Sequence, residues 1–191
     1  MSPRIGLDSQ DVLLAAVEVA DNEGTGAVSM SSVARKLGIR PPSLYNHVSG
    51  LEEIRTMLAV YALNQLYDRI QAEAGSIIGE KALRIFAFTY LNFASEHPGL
   101  YEAIQIPPRP DDVPLQEAGQ RFIDLILHYL SSYKLTEEEA LHTVRGIRSL
   151  IHGFASLKRQ GGFGLPLEVQ DSLQFNLDLI LEGLERVSHF V

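Results

Sequence analysis

Apolar residues recur three and four apart along nearly all of this 191-residue chain, and almost every run stops at glycine or proline. That spacing is the signature of helices with one buried face, and no stretch alternates apolar and polar residues as a strand would. The pattern predicts an all-α fold of about nine helices. Val12, Ala16 and Val19 mark the first, with Asp8 as its N-cap and Gly24-Thr25-Gly26 as its end. Ser29 caps a second through Leu37, followed by Gly38. Pro41-Pro42 opens a third, with Leu44 and Val48 on one face. Ile54, Leu58, Tyr61, Leu66 and Ile70 give a long fourth helix, and Leu83, Phe86, Ala87, Tyr90 and Ala94 a fifth. A short sixth spans Pro98 to Gln105. The proline-rich segment from Pro107 to Pro114 reads as a loop. Phe122, Leu125, Ile126, Tyr129 and Tyr133 form a seventh helix, and Thr136 with Glu139 makes a capping box for an eighth reaching Gln160. Leu173, Leu177, Ile180, Leu181, Leu184 and Val187 form the ninth.

Composition narrows the chemistry. The chain has no cysteine, which removes disulfides, thiolate zinc sites, iron–sulfur ligation and thiol nucleophiles together. Six histidines include no pair four apart. No phosphate-cradling glycine loop or nucleophile elbow is present, so no catalytic residue, metal ligand or cofactor is expected. No run approaches the roughly 18 apolar residues of a membrane span. Residues 1–6 carry no apolar stretch behind a basic cluster, so a cytoplasmic protein is expected.

The net charge of −8 disfavours a passive nucleic-acid binder, but the charge is uneven. From Gly24 to Leu51 there is no acidic residue, while Arg35, Lys36, Arg40 and His47 fall inside that window. A phosphate-facing patch on an otherwise acidic body would look like this. The same window holds two short helices joined by a glycine turn, the geometry of a helix-turn-helix. Ala34 is small enough for a close helix crossing, and Gly38 tolerates positive φ at the turn. Leu44 and Val48 face inward, which leaves Arg40, Ser43, Tyr45, Asn46 and His47 on the other side.

The segment from Ser29 to Val48 resembles the DNA-binding stretch of the TetR (tetracycline-repressor) family, and Leu44-Tyr45-Asn46-His47 is its most telling part. The likeness is close over about the first 55 residues and continues in His97-Pro98-Gly99-Leu100-Tyr101. Ile151-His152-Gly153-Phe154 is similar to a TetR subgroup whose C-terminal domain is named for a Trp-His-Gly motif, with Ile151 standing where Trp would be. The resemblance implies a helix-turn-helix DNA-binding domain over 1–52 and an effector-binding and dimerisation domain over 53–191. It implies that Tyr45 and His47 contact phosphates, and that Pro41, Ser43 and Asn46, beside Arg40, face base edges. Ser29, Met30 and Ser31 would approach from the second helix. One position departs from the family, which usually has lysine at the start of helix four; Leu51 stands there, and residues 1–55 hold five basic against seven acidic residues.

Ile147, Leu150, Ile151, Phe154 and Leu157, with Leu173, Leu177, Ile180, Leu181 and Leu184, form broad apolar stripes on helices eight and nine. Such helices can be buried within one chain or paired with a second copy. The resemblance favours a homodimer through Ile147, Ile151, Phe154, Leu173, Leu177, Ile180, Leu181 and Leu184. The central aromatics Tyr61, Phe86, Tyr90, Phe93, Tyr101, Phe122 and Tyr129 read as core, or, following the family, as the lining of a small-molecule effector site. The expected function is a ligand-responsive regulator, a repressor released from a palindromic operator by an apolar or aromatic effector. The alternative is a helical binding module that no longer binds DNA.

Overall fold

The computed structural model describes residues 6–189. Among them are nine α-helices: α1 Ser9–Glu23, α2 Met30–Lys36, α3 Pro41–Leu44, α4 Leu51–Ala74, α5 Glu80–Glu96, α6 Pro98–Ala103, α7 Val113–Leu130, α8 Glu137–Arg159 and α9 Val169–His189. One 3₁₀ turn, Thr25–Ala27, joins α1 to α2, and there is no strand among the described residues. The chain is all-α. Two compact units emerge: residues through Asn64 with His97–Gln116, and Gln65–Glu96 with the chain from Glu117 onward. α4 contributes its first half to one and its second half to the other.

In the first unit, local side chains fix the helix ends. Asp8 accepts from the Asp11 amide, and Asp11 accepts in return from the Asp8 amide, both at 2.9 Å. α1 then buries Val12, Ala16, Val19 and Ala20. α6 packs on α1 with almost no space between them. A Cβ built on Gly99 would lie 2.1 Å from the Ala20 carbonyl oxygen, so only glycine allows this approach. Polar contacts hold the same pair. Asp21 accepts from the Leu100 amide at 3.1 Å, and its other oxygen lies 3.0 Å from His97 Nδ1. Glu102 accepts from the Thr25 amide and hydroxyl at 3.1 and 2.6 Å.

The second unit is built on apolar faces. α5 buries Leu83, Phe86, Ala87, Tyr90, Leu91, Phe93 and Ala94 and packs against α8 and α9. α8 contributes Val144, Ile147, Ile151 and Ala155, and α9 contributes Leu173, Leu177, Leu181 and Leu184. Each leucine, isoleucine, valine or phenylalanine among them contributes about 1.5–3 kcal/mol by leaving water. Thr136 and Glu139 form the capping box at the head of α8.

The bounds of α7 differ most from the sequence expectation. α7 starts at Val113, inside the stretch read as loop, because Pro114 sits in the first turn, where its missing amide costs nothing. It ends at Leu130, and Tyr133 lies in the turn beyond, its amide donating to the Leu130 carbonyl at 2.9 Å.

Candidate nucleic-acid interface

Ser29 starts α2 by accepting from the Ser32 amide at 3.1 Å while Ser32 Oγ accepts from the Ser29 amide at 2.9 Å. At the other end Gly38 adopts φ 68°. Its amide donates to the Arg35 carbonyl and that of Ile39 to the Ala34 carbonyl, which closes the helix in a Schellman motif. The chain thereby turns sharply into Arg40 and the proline pair. Val33, Ala34 and Leu44 are wholly buried and Val48 nearly so, which clamps α2 against α3 through apolar contact.

Regular α-helix in α3 covers only Pro41–Leu44. The continuation to Val48 tightens: the Tyr45, Asn46 and His47 amides donate to carbonyls three residues back at 3.4, 3.4 and 2.8 Å. The two prolines sit in the first turn, where a missing amide costs nothing, and the short segment is anchored through its wholly buried Leu44. Arg40, Pro41, Ser43, Tyr45 and Asn46 are exposed, and Tyr45 retains 61% of its surface. A phenol this open is not packed on α1. His47 and Met30 are half-buried and Ser31 is exposed. Ser29 is half-buried and spends its hydroxyl on the cap. Arg35 is also exposed, whereas Lys36 forms an ion pair with Glu18 of α1.

α4 begins directly at Leu51, which is half-buried. Glu53 turns back to accept from the Ser49 amide at 2.6 Å. That amide, with the Ser49 hydroxyl, holds the Glu53 carboxyl below its usual range. Asp8, Asp11, Glu18, Asp21 and Glu53 are all engaged in caps or pairs, and the face formed by α2 and α3 holds no acidic residue.

A sequence profile described as "Tetracyclin repressor-like, C-terminal domain" matches residues 83–180. An uncharacterised HTH-type transcriptional regulator of Bacillus subtilis, YobS, is 37% identical over 185 residues, 96% of each chain. The chain belongs to the TetR family. The HTH-type transcriptional repressor DrrR1 of Streptomyces coeruleorubidus is 33% identical over 80% of this chain and 54% of its own length. A TetR regulator of Streptomyces coelicolor, SCO7222, has the same fold, with a TM-score of 0.74 at 16% identity over 96% of this chain and all of the other. The profile's description does not single out the Trp-His-Gly subgroup.

TetR regulators bind DNA and act as dimers with small-molecule effectors, so this chain is a DNA-binding transcriptional regulator. The aromatic residues divide between the units. Tyr61 on α4 and Tyr101 on α6 lie in the first, half-buried and buried respectively. In the second, Phe122 meets Phe86 edge-on at 6.3 Å, and Phe86 lies 6.3 Å from Tyr90. Tyr67, which the helical spacing did not single out, joins them 5.9 Å from Phe122, with the Arg121 guanidinium 4.0 Å over its ring. Phe93 is buried beneath Arg69, whose guanidinium lies 5.9 Å from the ring centre. Tyr129 is wholly buried, and its hydroxyl has no hydrogen-bond partner. Burial, with Tyr67 nearby, pushes its phenol up to about 12.

The residues named for dimerisation fall into two groups in this chain. Ile147, Ile151, Leu173, Leu177, Leu181 and Leu184 are buried within this chain, between 0 and 8% exposed. Only Phe154 and Ile180 of that set are half-exposed. The apolar residues of α8 and α9 that face outward are Leu141, Leu157, Phe175, Leu179 and Val187. Both faces of α9 are apolar, so the spacing alone gave no means of deciding which one the chain covers itself. Among the described residues no group of three or more His, Asp or Glu is placed to hold a metal ion, and no helix is long and apolar enough to cross a membrane.

Proposed function

We propose that the protein is a homodimeric repressor that reads a palindromic operator with α3 and is released by a small apolar or aromatic effector. The observation that carries this reading is the clamped α2–α3 pair, whose buried Val33, Ala34, Leu44 and Val48 leave Arg40, Pro41, Ser43, Tyr45 and Asn46 open. Tyr45 and His47 would hold phosphates, and Asn46 would pair with adenine. Residues 1–52 act as the reading domain and 53–191 as the effector and dimerisation domain. The dimer forms through the outward apolar side chains of α8 and α9: Phe154, Leu157, Phe175, Leu179 and Ile180. The effector meets the aromatics of α4, α5 and α7. It acts by favouring a state in which the two recognition helices no longer stand about 34–36 Å apart, the spacing of successive major grooves. The protein works in the cytoplasm by binding, without catalysis.

The test is binding of the full chain to duplex DNA taken from beside its own gene. Tyr45→Ala should weaken binding on every sequence, because a phosphate contact carries no base information. Asn46→Ala should relax discrimination at one position per half-site, at about 1–3 kcal/mol. Equal losses on all sequences for Asn46→Ala would remove its reading role. Leu179→Glu should leave a folded monomer with poor DNA affinity, measured by sedimentation and anisotropy.

A further inference from the structure

Arg109 lies far from the helix-turn-helix in sequence but within the same compact unit. Its loop is fixed to the first turns of α4. The Thr56 hydroxyl donates to Asp112 Oδ2 at 2.7 Å, and Asp112 is only 6% exposed. Asp112 Oδ1 accepts from the Leu115 amide at 3.4 Å, and the Asp112 amide donates to the Arg109 carbonyl at 3.0 Å. Gln116 Nε2 donates to the carbonyls of Arg109 and Pro110 at 2.7 and 3.0 Å. Pro107, Pro108 and Pro110 restrict the backbone further. The loop is therefore a rigid mount, and the side chain of Arg109 is its movable part.

That side chain reaches the head of α4. Arg109 Nη1 lies 4.0 Å from Glu52 Oε2, and its Nε lies 3.9 Å from Asp111 Oδ1. Both pairs are at the outer limit of ionic contact, and all three side chains are at least half exposed. Such pairs contribute about 0–1 kcal/mol and do not hold a guanidinium against a competing anion. Glu52 is already taken by Arg55 at 2.6 Å, and Glu53 by the Ser49 amide. Leu51, the residue beside Glu52 and six beyond Tyr45, has no charge to offer a phosphate. The head of α4 thus follows directly on the recognition segment, and the cation held over it comes from the α6–α7 loop.

We infer that Arg109 is a DNA-phosphate contact, delivered by the loop between α6 and α7 to the strand that passes the start of α4. The inference rests on the reading that α2 and α3 dock this chain on duplex DNA. A guanidinium suits the role because its fork can meet two phosphate oxygens at once. The contact positions the protein and carries no sequence information.

The experiment measures affinity of the full chain for the duplex beside its own gene across a salt series from roughly 50 to 200 mM. Arg109→Ala should make the slope of log K against log salt shallower by about 0.9 per protomer, or about 1.8 for a dimer on two half-sites. Arg109→Lys should restore most of the slope, and Lys81→Ala, which removes an exposed cation of the other unit, should leave it unchanged. Asp111→Asn, which removes the competing acid and touches no buried contact, should raise affinity at low salt. An unchanged slope in Arg109→Ala, an equal loss in Lys81→Ala, or no gain in Asp111→Asn would each overturn the assignment. A wild-type chain that binds no duplex at all would overturn the docking reading together with it. A wild type that binds with a slope indifferent to Arg109 would overturn this inference alone.

Discussion

Three helices of the first unit are short: α2 has seven residues, α3 four and α6 six. Isolated helices of that length do not hold in water, and here their ends are tied by side chains. The ties are the Ser29–Ser32 cap, the Gly38 turn, Asp21 on α6 and Glu102 on Thr25. α5, α8 and α9 of the second unit have 17, 23 and 21 residues and meet through whole faces of leucine, isoleucine and phenylalanine. Polar links there include Arg84, half-buried, bridging Glu80 and Asp178 at 2.6 and 2.5 Å. Short helices of this kind are kept in place by a few buried side chains such as Val33, Ala34 and Leu44 together with backbone ends that are satisfied one by one. The second unit relies instead on apolar area.

The difference can be broken at its strong points. The largest effect is expected for Leu177→Glu, since Leu177 is wholly buried. An unpaired carboxylate in that core should cost more than about 4 kcal/mol and abolish cooperative thermal unfolding of the second unit. Leu179→Glu, two residues on and 55% exposed, should leave the fold of the chain intact and lower the melting temperature only through loss of the proposed dimer. Similar stability of the two variants would mean that α9 is not oriented as described.

Next in size is Gly99→Ala. The new methyl would meet the backbone of Ala20 and Asp21 and has to push α6 off α1, at about 3 kcal/mol. Hydrogen exchange should show the α6 amides losing protection while those of α8 keep theirs. Asp21→Ala should follow at about 1–3 kcal/mol, because it leaves the Leu100 amide without its acceptor. The matched change in the second unit, Glu80→Ala, removes an exposed partner of Arg84 and should cost under about 1 kcal/mol. Equal costs in chemical denaturation would erase the contrast between end-tied and face-packed units.

The smallest effect at neutral pH is expected for Tyr129→Phe, which deletes a buried hydroxyl that has no partner. Stability should be unchanged or slightly raised. The variant sharpens the comparison at high pH. The phenol is raised from 10.0 to about 12 in the folded chain, so the neutral form is favoured there relative to the unfolded chain. Its contribution is complete below pH 10.0 and is lost as pH rises towards 12. Wild type should lose more stability over that interval than Tyr129→Phe, as read by denaturant midpoints at both ends of it.

What was legible in the sequence is what local hydrogen bonding decides. Asp8, Ser29 and Thr136 mark helix starts because each side chain satisfies an amide three residues away. Gly38 marks a helix end because the turn needs positive φ. The exposed set on α3 followed from the same local logic, since four-residue spacing of Leu44 and Val48 fixes which side faces in. Only the tertiary structure decided matters that join distant segments. It put Asp21 against α6, some 76–79 residues away, and Asp112 beneath Thr56, 56 residues away. It also showed that Ile147, Ile151, Leu173, Leu177, Leu181 and Leu184 belong to this chain's own core while Phe175 and Leu179 face outward. The physical reason is that burial is a property of the space around a residue. A helix apolar on two faces has the same pattern whichever one its own chain covers, and only the packing of α5, α8 and α9 together selects between them.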